Sequence, residues 1–206
     1  MCEQRPVAAV LGSELDLRIF NYRDFTPLRA GQVDDEPYGG GVGMLVRVDV
    51  VDAALQAAYG DEISAVDRVI ALTPTGRPLD QAYVEELSGN SHIAILSARF
   101  EGFDARVVEH LASETLSIGP YVLSGGEIPA MTVIDAVTRR LPGALGSAES
   151  IDEETFSQEL EGGHEYPHYT RPADYRGWKV PDVLRSGDHA RIAAWRRDSS
   201  AERSVA

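Results

Sequence analysis

The chain has 206 residues, of which 43% are hydrophobic and 25% charged, as expected for one globular domain or a domain with a small appendage. There is no apolar run of membrane-spanning length, no signal-peptide core and only one cysteine, Cys2, so we expect a cytoplasmic protein without a disulfide framework. The net charge of −14 argues against a protein that holds nucleic acid through a general basic surface, and any such contact has to be local.

In chain order, the predicted elements alternate between strands and helices. Alternating apolar and polar residues at 15–20 predict a half-buried strand, and apolar runs at 69–72 and 93–96 predict two more. Helical patterns lie at 50–59, 79–87, 104–111 and 128–140. The segment 183–197 has Ser186-Gly187-Asp188 before an apolar pattern from Ala190, which predicts a capped helix. Residues 198–206 look like a frayed tail. The alternation predicts a mainly parallel sheet with helices on both faces.

Loops that contain glycine, proline or charge occur at 73–76, 97–102 and 117–126, after predicted strands or apolar segments. Ligands of parallel α/β proteins bind at the carboxyl ends of the strands, so these loops predict a pocket. The Ser-Gly-Gly turn at 124–126 lets peptide groups close around a flat ligand. The same stretch would also serve as the strand, turn and helix of any α/β protein.

Five segments resemble the bacterial tRNA (guanine-N1)-methyltransferases and keep that family's order over roughly residues 9–198. They are Asp34–Met44, Arg99-Phe100-Glu101-Gly102-Phe103-Asp104, Ser117–Met131, Tyr166-Pro167-His168-Tyr169-Thr170-Arg171-Pro172, and Val180–Ala190 with Trp195-Arg196-Arg197. The resemblance implies a SPOUT-type α/β fold: a parallel sheet flanked by helices, with the C-terminal part threaded into a deep trefoil knot. It also implies an obligate homodimer and S-adenosylmethionine (SAM) bound by the knot loops.

The resemblance further implies a set of site residues. The cofactor-binding residues would be Leu72, Thr73, Pro74, Ala98, Gly102, Ser117, Ile118, Gly119, Tyr121, Leu123, Gly125, Gly126 and Pro129. Methyl transfer needs an aligned nucleophile and a base for its proton. By resemblance Glu154 is the base, Arg139 offsets developing charge, and Arg99 and Glu101 border the acceptor. As an alternative, Glu154 is one more solvated charge in a linker.

His164 and His168 flank Glu165 at a spacing that metal pairs use, but Pro167 breaks the helical spacing and no third ligand is evident. We therefore expect no metal site.

The predicted organisation is a knotted SAM-binding domain at 1–146, an acidic linker with the catalytic carboxylate at 147–165, and a short helical remnant at 166–206.

Departures from the family pattern direct the functional prediction. The family's opening strand has no counterpart, and the chain ends nine residues after Arg197, where the family continues into a domain that helps grip tRNA. The pair Glu154-Thr155 stands where the family has Asp-Ser. With the charge of −14, these departures predict a SAM-dependent methyltransferase for a small planar heteroaromatic, namely an indole methylated at C3 in a biosynthetic pathway. The alternatives are a tRNA (guanine-N1)-methyltransferase, with tRNA disfavoured as partner, and a non-catalytic SAM- or RNA-binding relic.

Overall fold

The structure is a computed structural model that describes residues 6–145, 154–157, 160 and 162–205. The chain divides into two compact units, Met1–Leu145 and Gly146–Ala206. The three-part organisation expected from the sequence stays a prediction, because much of its proposed linker, 147–165, lies outside the described residues. No helix in the described part of the chain has the length and apolar character needed to cross a membrane.

The N-terminal unit contains five strands and four α-helices within its described residues. The strands are β1 (Asp34–Asp35), β2 (Leu45–Val46), β3 (Arg68–Pro78), β4 (Ile93–Leu96) and β5 (Glu114–Ser117). The helices are α1 (Val7–Val10), α2 (Val48–Tyr59), α3 (Gln81–Ser88) and α4 (Glu127–Thr138). Short 3-10 helices occupy Tyr22–Asp24, Arg29–Gly31 and Gly60–Ala65, and a π-helical turn occupies Val107–Leu111.

The central sheet is parallel, with the strand order β4-β3-β5. Side chains of β3 alternate between two apolar clusters, since successive residues of a strand point to opposite faces. Val69 and Ala71 belong to the cluster that includes Val51 of α2, whereas Ile70 and Leu72 belong to the cluster that includes α3 and α4 residues. Burial on both faces explains the continuous apolar run of this strand. The prediction of a mixed α/β fold with a parallel sheet and flanking helices is confirmed, and the trefoil knot stays a prediction.

The register of β3 against β5 shifts between Leu72 and Arg77, because both residues pair with Leu116. The four residues between them, 73–76, form an excursion from the ladder. Gly76 ends it close to β5: a Cβ at Gly76 would lie 2.5 Å from the backbone nitrogen of Leu116. Only a residue without a side chain fits this approach.

Two secondary-structure predictions are wrong. Residues 15–20 form no strand. Leu15 makes only an isolated bridge to Leu11, and Ile19 remains 85% exposed. The apolar side chains of this alternating pattern therefore do not pack in a sheet. Residues 198–205 are not a frayed tail, because the last helix continues to Val205. Within that stretch Ser200 Oγ donates to the carbonyl of His164 at 2.6 Å and holds the helix to a neighbouring loop.

The described part of the C-terminal unit contains a β-hairpin and two helices. These are β6 (Asp174–Tyr175), β7 (Trp178–Lys179), α5 (Asp182–Arg185) and α6 (His189–Val205). The backbone N–H of Arg191 donates to the Asp188 carboxylate at 3.1 Å, so Asp188 caps the start of α6.

Candidate active site

A cavity of about 280 Å³ opens where the excursion of β3 and the loops after β4 and β5 meet. All thirteen residues that the family resemblance assigns to the cofactor line it, as do Arg99 and Glu101. The parallel strands bring their carboxyl ends to the same edge of the sheet, which is why loops far apart in the chain converge here. The loop pattern therefore located the cavity correctly, while the role of each residue stays a prediction.

Main-chain contacts fix one wall of the cavity. Gly126 N–H donates to the carbonyl of Ala98 at 2.7 Å, and Ser97 Oγ donates to the carbonyl of Gly126 at 3.1 Å. A Cβ at Gly126 would lie 2.8 Å from the α-carbon of Ser97, which is closer than such atoms approach in proteins. Arg99 and Gly125 form an isolated antiparallel bridge beside this contact. The two loops are thus joined backbone to backbone, and glycine is required at 126.

Charged side chains border the same wall. Arg99 Nε donates to Glu127 Oε1 at 2.6 Å, which ties the loop after β4 to the first turn of α4. The backbone N–H of Glu101 donates to the carbonyl of Met44 at 2.9 Å. The Glu101 side chain lies against Gly43, where an added Cβ would overlap it. Residues 39–43, the glycine-rich loop, thus contact Glu101 at the cavity edge.

Ion pairs of Arg47 join the two ends of the segment that contains the glycine-rich loop. Arg47 donates to Asp35 at 2.8 Å and, through two nitrogens, to both carboxylate oxygens of Asp49 at 3.0 and 2.8 Å. These hydrogen bonds lower the pKa of the Asp49 carboxyl. The two ends of the loop are held together because Asp35 lies in β1 and Asp49 in the first turn of α2.

The other two predicted catalytic residues are not among the residues that line the cavity. Arg139 follows α4 as its C-cap and donates its backbone N–H to the carbonyl of Asp135 at 3.1 Å. Glu154 belongs to the C-terminal unit, where its carbonyl accepts from the N–H of Ser157 at 3.0 Å. Both residues also make further interactions. Of the four predicted catalytic residues, Arg99 and Glu101 therefore lie together at the cavity.

The Glu154 segment has its own supports within the C-terminal unit. The N–H of Glu165 donates to Thr155 Oγ1 at 3.1 Å, and the N–H of Phe156 donates to the carbonyl of Gly163 at 2.8 Å. His168 Nε2 lies 2.6 Å from Glu165 Oε1. Across the described residues, no three potential metal ligands converge.

Sequence reasoning missed the partner of Arg99. Arg99 and Glu127 are 28 positions apart, and nothing in their local pattern signals the pairing. Phe100 and Val122 also line the cavity; they were not named as cofactor residues, although they lie in the predicted loops 97–102 and 117–126. Leu116 lines it as well, and its signal is its position one residue before the last of these loops.

The cavity fits SAM by its chemistry. Leu72, Ile118, Leu123 and Pro129 provide apolar surface, and the loops provide peptide groups at positions where glycine leaves no side chain in the way. An aromatic ring with a polar edge is held by such a combination, because apolar contacts cover its faces and main-chain groups pair with its edge.

Comparison with known proteins agrees with this geometry. The sequence model of the family described as tRNA (Guanine-1)-methyltransferase TrmD matches residues 7–206. A tRNA (guanine-N(1)-)-methyltransferase of Brevibacillus brevis is 47% identical over 93% of this chain and 76% of its own length. Proteins of the same name from Exiguobacterium sibiricum and Gloeobacter violaceus are 48% and 45% identical, over 93% and 95% of this chain and 76% and 84% of theirs.

These findings overturn the main functional prediction. The relatives carry the name of the tRNA-modifying enzyme. The family model matches up to residue 206 and includes Glu154-Thr155, one of the departures that had suggested a small acceptor. Neither the indole acceptor nor a biosynthetic role is supported, and the net charge, a whole-chain average, was a misleading guide. The chain belongs to the TrmD family of tRNA (guanine-1)-methyltransferases, which use SAM as the methyl donor.

Proposed function

We propose that this chain methylates N1 of a guanine in tRNA, with SAM as the methyl donor. The observation that carries the proposal is the match of the family over residues 7–206, together with relatives at 45% to 48% identity. The cavity supports it, because its lining coincides with the residues that the family resemblance assigns to the cofactor.

SAM, when bound, supplies a methyl carbon on a positively charged sulfur. The reaction forms a bond from that carbon to guanine N1 and breaks the bond to sulfur, and N1 loses its proton. We assign the proton to the carboxylate of Glu154, because an uncharged N1–H is a poor nucleophile until a base removes its proton. Arg139 would offset the negative charge that develops on the guanine ring as the proton leaves.

Residues at the cavity edge would orient the acceptor. Arg99 is 66% exposed at its side chain while its Nε is held by Glu127, so the remaining guanidinium nitrogens can donate to an acceptor. Glu101 is fixed through its backbone to Met44 and can accept from the N–H groups of a guanine edge. We propose that both act in orientation, while Glu154 acts on the proton.

We further propose a homodimer in which Glu154 serves the cavity of the second subunit, and a chain threaded into a trefoil knot around the cavity loops. The match to the family over residues 7–206 supports both parts of this proposal. The location that we propose is the cytoplasm, where tRNA is found and where the lone Cys2 stays reduced.

The test is methyl transfer from labelled SAM to an unmodified tRNA transcript, followed by nucleoside mass spectrometry of the digested RNA. We expect 1-methylguanosine from the transcript and none from a matched transcript in which adenine replaces the target guanine. A purified protein that binds SAM but leaves the guanine transcript unmethylated would contradict the proposal.

A further inference from the structure

The hairpin of β6 and β7 is an exposed element with a defined turn. Arg176 and Gly177 connect its strands with φ angles of 55° and 85°, the two positive values of a type I′ turn. The N–H of Gly177 donates to the Asp174 carboxylate at 2.9 Å, and the N–H of Val180 donates to the carbonyl of Ala173 at 2.9 Å. The turn and these two hydrogen bonds set the direction in which the strands present their side chains.

Two large aromatic side chains occupy one cross-strand pair of this hairpin. Tyr175 pairs with Trp178, and their ring centroids are 5.8 Å apart. Trp178 is 72% exposed and Tyr175 50% exposed. Cross-strand partners lie on the same face of a hairpin, so the pair forms a small aromatic platform open to solvent.

One cation borders the platform. Arg176 lies in the turn, 5.2 Å from the centre of the Tyr175 ring, and among the described residues it makes no ion pair with a carboxylate. Lys179 is the cross-strand partner of Asp174, so it lies on the other face of the hairpin. The charge of Arg176 is therefore available to an anionic partner of the platform.

The charge of the surrounding segment is opposite to that of the rest of the chain. Residues 166–206 contain eight arginine and lysine residues and five acidic ones, a net charge of +3. Residues 1–165 contain 11 basic and 28 acidic residues, a net charge of −17. A polyanion approaching this protein is repelled by most of the chain and attracted by this segment.

We propose that the hairpin 174–179 is a tRNA contact in which Trp178 stacks on an unpaired base while Arg176 contacts a phosphate. The inference rests on the proposed function and adds a binding surface to it. Sequence-tolerant recognition of single-stranded RNA combines aromatic stacking with cations that follow the backbone. The hairpin supplies both within six residues.

RNA fits the platform better than a protein partner does. Tyrosine, tryptophan and arginine also occur at protein interfaces, so the argument rests on their arrangement. An exposed ring face with a cation directly beside it matches a base and its phosphate, which a tRNA substrate supplies together.

The first experiment measures tRNA affinity with the full-length chain. Trp178→Ala should weaken binding of the unmodified transcript about five- to 150-fold, the usual range for the loss of one stacked base. Trp178→Phe keeps a ring and should remain within about threefold of the wild type by the same stacking argument. The affinity for SAM and the circular dichroism spectrum should not change in either variant, which separates a lost contact from a lost fold.

The second experiment measures the salt dependence of the same affinity. Arg176→Ala should lower the slope of log affinity against log salt by about one, because one phosphate contact is removed. Arg18→Ala is the matched control: it removes the same charge from an exposed site of the N-terminal unit, where Arg18 pairs with Asp16. We expect the control to leave the slope unchanged.

The outcomes separate this inference from the proposed function. If the wild type methylates tRNA and Trp178→Ala binds tRNA equally well, the hairpin is not a tRNA contact although the function stands. If Trp178→Ala changes only the sedimentation of the protein, a second copy covers the platform and the inference is overturned. If the wild type neither binds nor methylates tRNA, the proposed function itself fails.

Discussion

The side chain of Glu101 lies against the α-carbon of Gly43, with no room between them for a methyl group. We predict that Gly43→Ala lowers kcat for methyl transfer about ten- to a hundredfold, because displacing a site residue by about 1 Å costs this much. Gly39→Ala is the matched control, since Gly39 has a similar positive φ (+86° against +91°) but nothing within 4 Å of an added Cβ. Equal losses of kcat in both variants would mean that backbone strain, and not the Glu101 contact, is responsible.

A second glycine pair tests the wall of the cavity. Gly126 and Gly89 have nearly the same backbone angles, with φ and ψ of −81° and −1° against −80° and −6°, but only Gly126 has a Cβ position blocked by Ser97. We predict that Gly126→Ala lowers the free energy of unfolding by about 1–3 kcal/mol through overpacking. It should also weaken SAM binding in calorimetry, because the wall must move.

Gly89→Ala should change neither quantity, because the nearest atom to its added Cβ is 3.5 Å away. If Gly126→Ala binds SAM as the wild type does, this wall takes no part in holding the cofactor.

Glu154→Gln tests the assignment of the base. We predict that it lowers kcat about 10²- to 10⁴-fold, the usual contribution of a general base, since an amide cannot accept the proton. The dissociation constant for SAM should stay the same, because in this assignment Glu154 acts on the proton of the acceptor and not on the cofactor.

The control for Glu154→Gln is Glu109→Gln, which removes the same charge from an exposed position. Both variants are assayed in single turnover, so that product release does not mask the chemical step. Wild-type rates in Glu154→Gln would exclude this residue as the base.

A pH-dependent contribution to stability is expected at Asp104. Its carboxylate accepts from the Arg106 guanidinium at 2.9 and 2.6 Å and from the Arg106 N–H at 2.9 Å, and these hydrogen bonds lower the pKa of Asp104. Because the pKa is lower in the folded than in the unfolded chain, the contribution is complete above the unfolded value of about 3.9 and is lost as the pH falls through the folded value.

The measurement is Tm between pH 7 and pH 2.5 for the wild type and Asp104→Asn. The wild type should lose more of its Tm than the variant below about pH 4, because only its carboxylate can be protonated. Parallel curves for the two proteins would show that the pair with Arg106 contributes no pH-dependent stability.

Local pattern predicted the sheet, the helices and the cavity loops, because burial and strand ends leave clear signals in the sequence. The runs around Val69 and Ala94 became neighbouring parallel strands, and every residue assigned to the cofactor lines one cavity. The failures came from relationships between distant residues. The pairing of Arg99 with Glu127 has no local signature. The alternating residues near Ile19 do not form a strand, because no neighbouring strand pairs with them.

The function was mispredicted for a related reason. Net charge is an average, and the average of −14 concealed a segment of +3 that includes Arg176 and Lys179. Polyanion binding depends on the local potential and not on the total, so the whole-chain value could not exclude tRNA.

The glycine-built wall also limits how the cavity can evolve. A compound bound to the peptide groups of Gly125, beside Gly126, would contact atoms that are the same in every amino acid. Resistance by point mutation usually arises when a side chain in contact with a drug is exchanged, and at Gly126 any exchange pushes a new atom into Ser97. Inhibitors directed at this backbone would therefore leave few escape routes that preserve the enzyme.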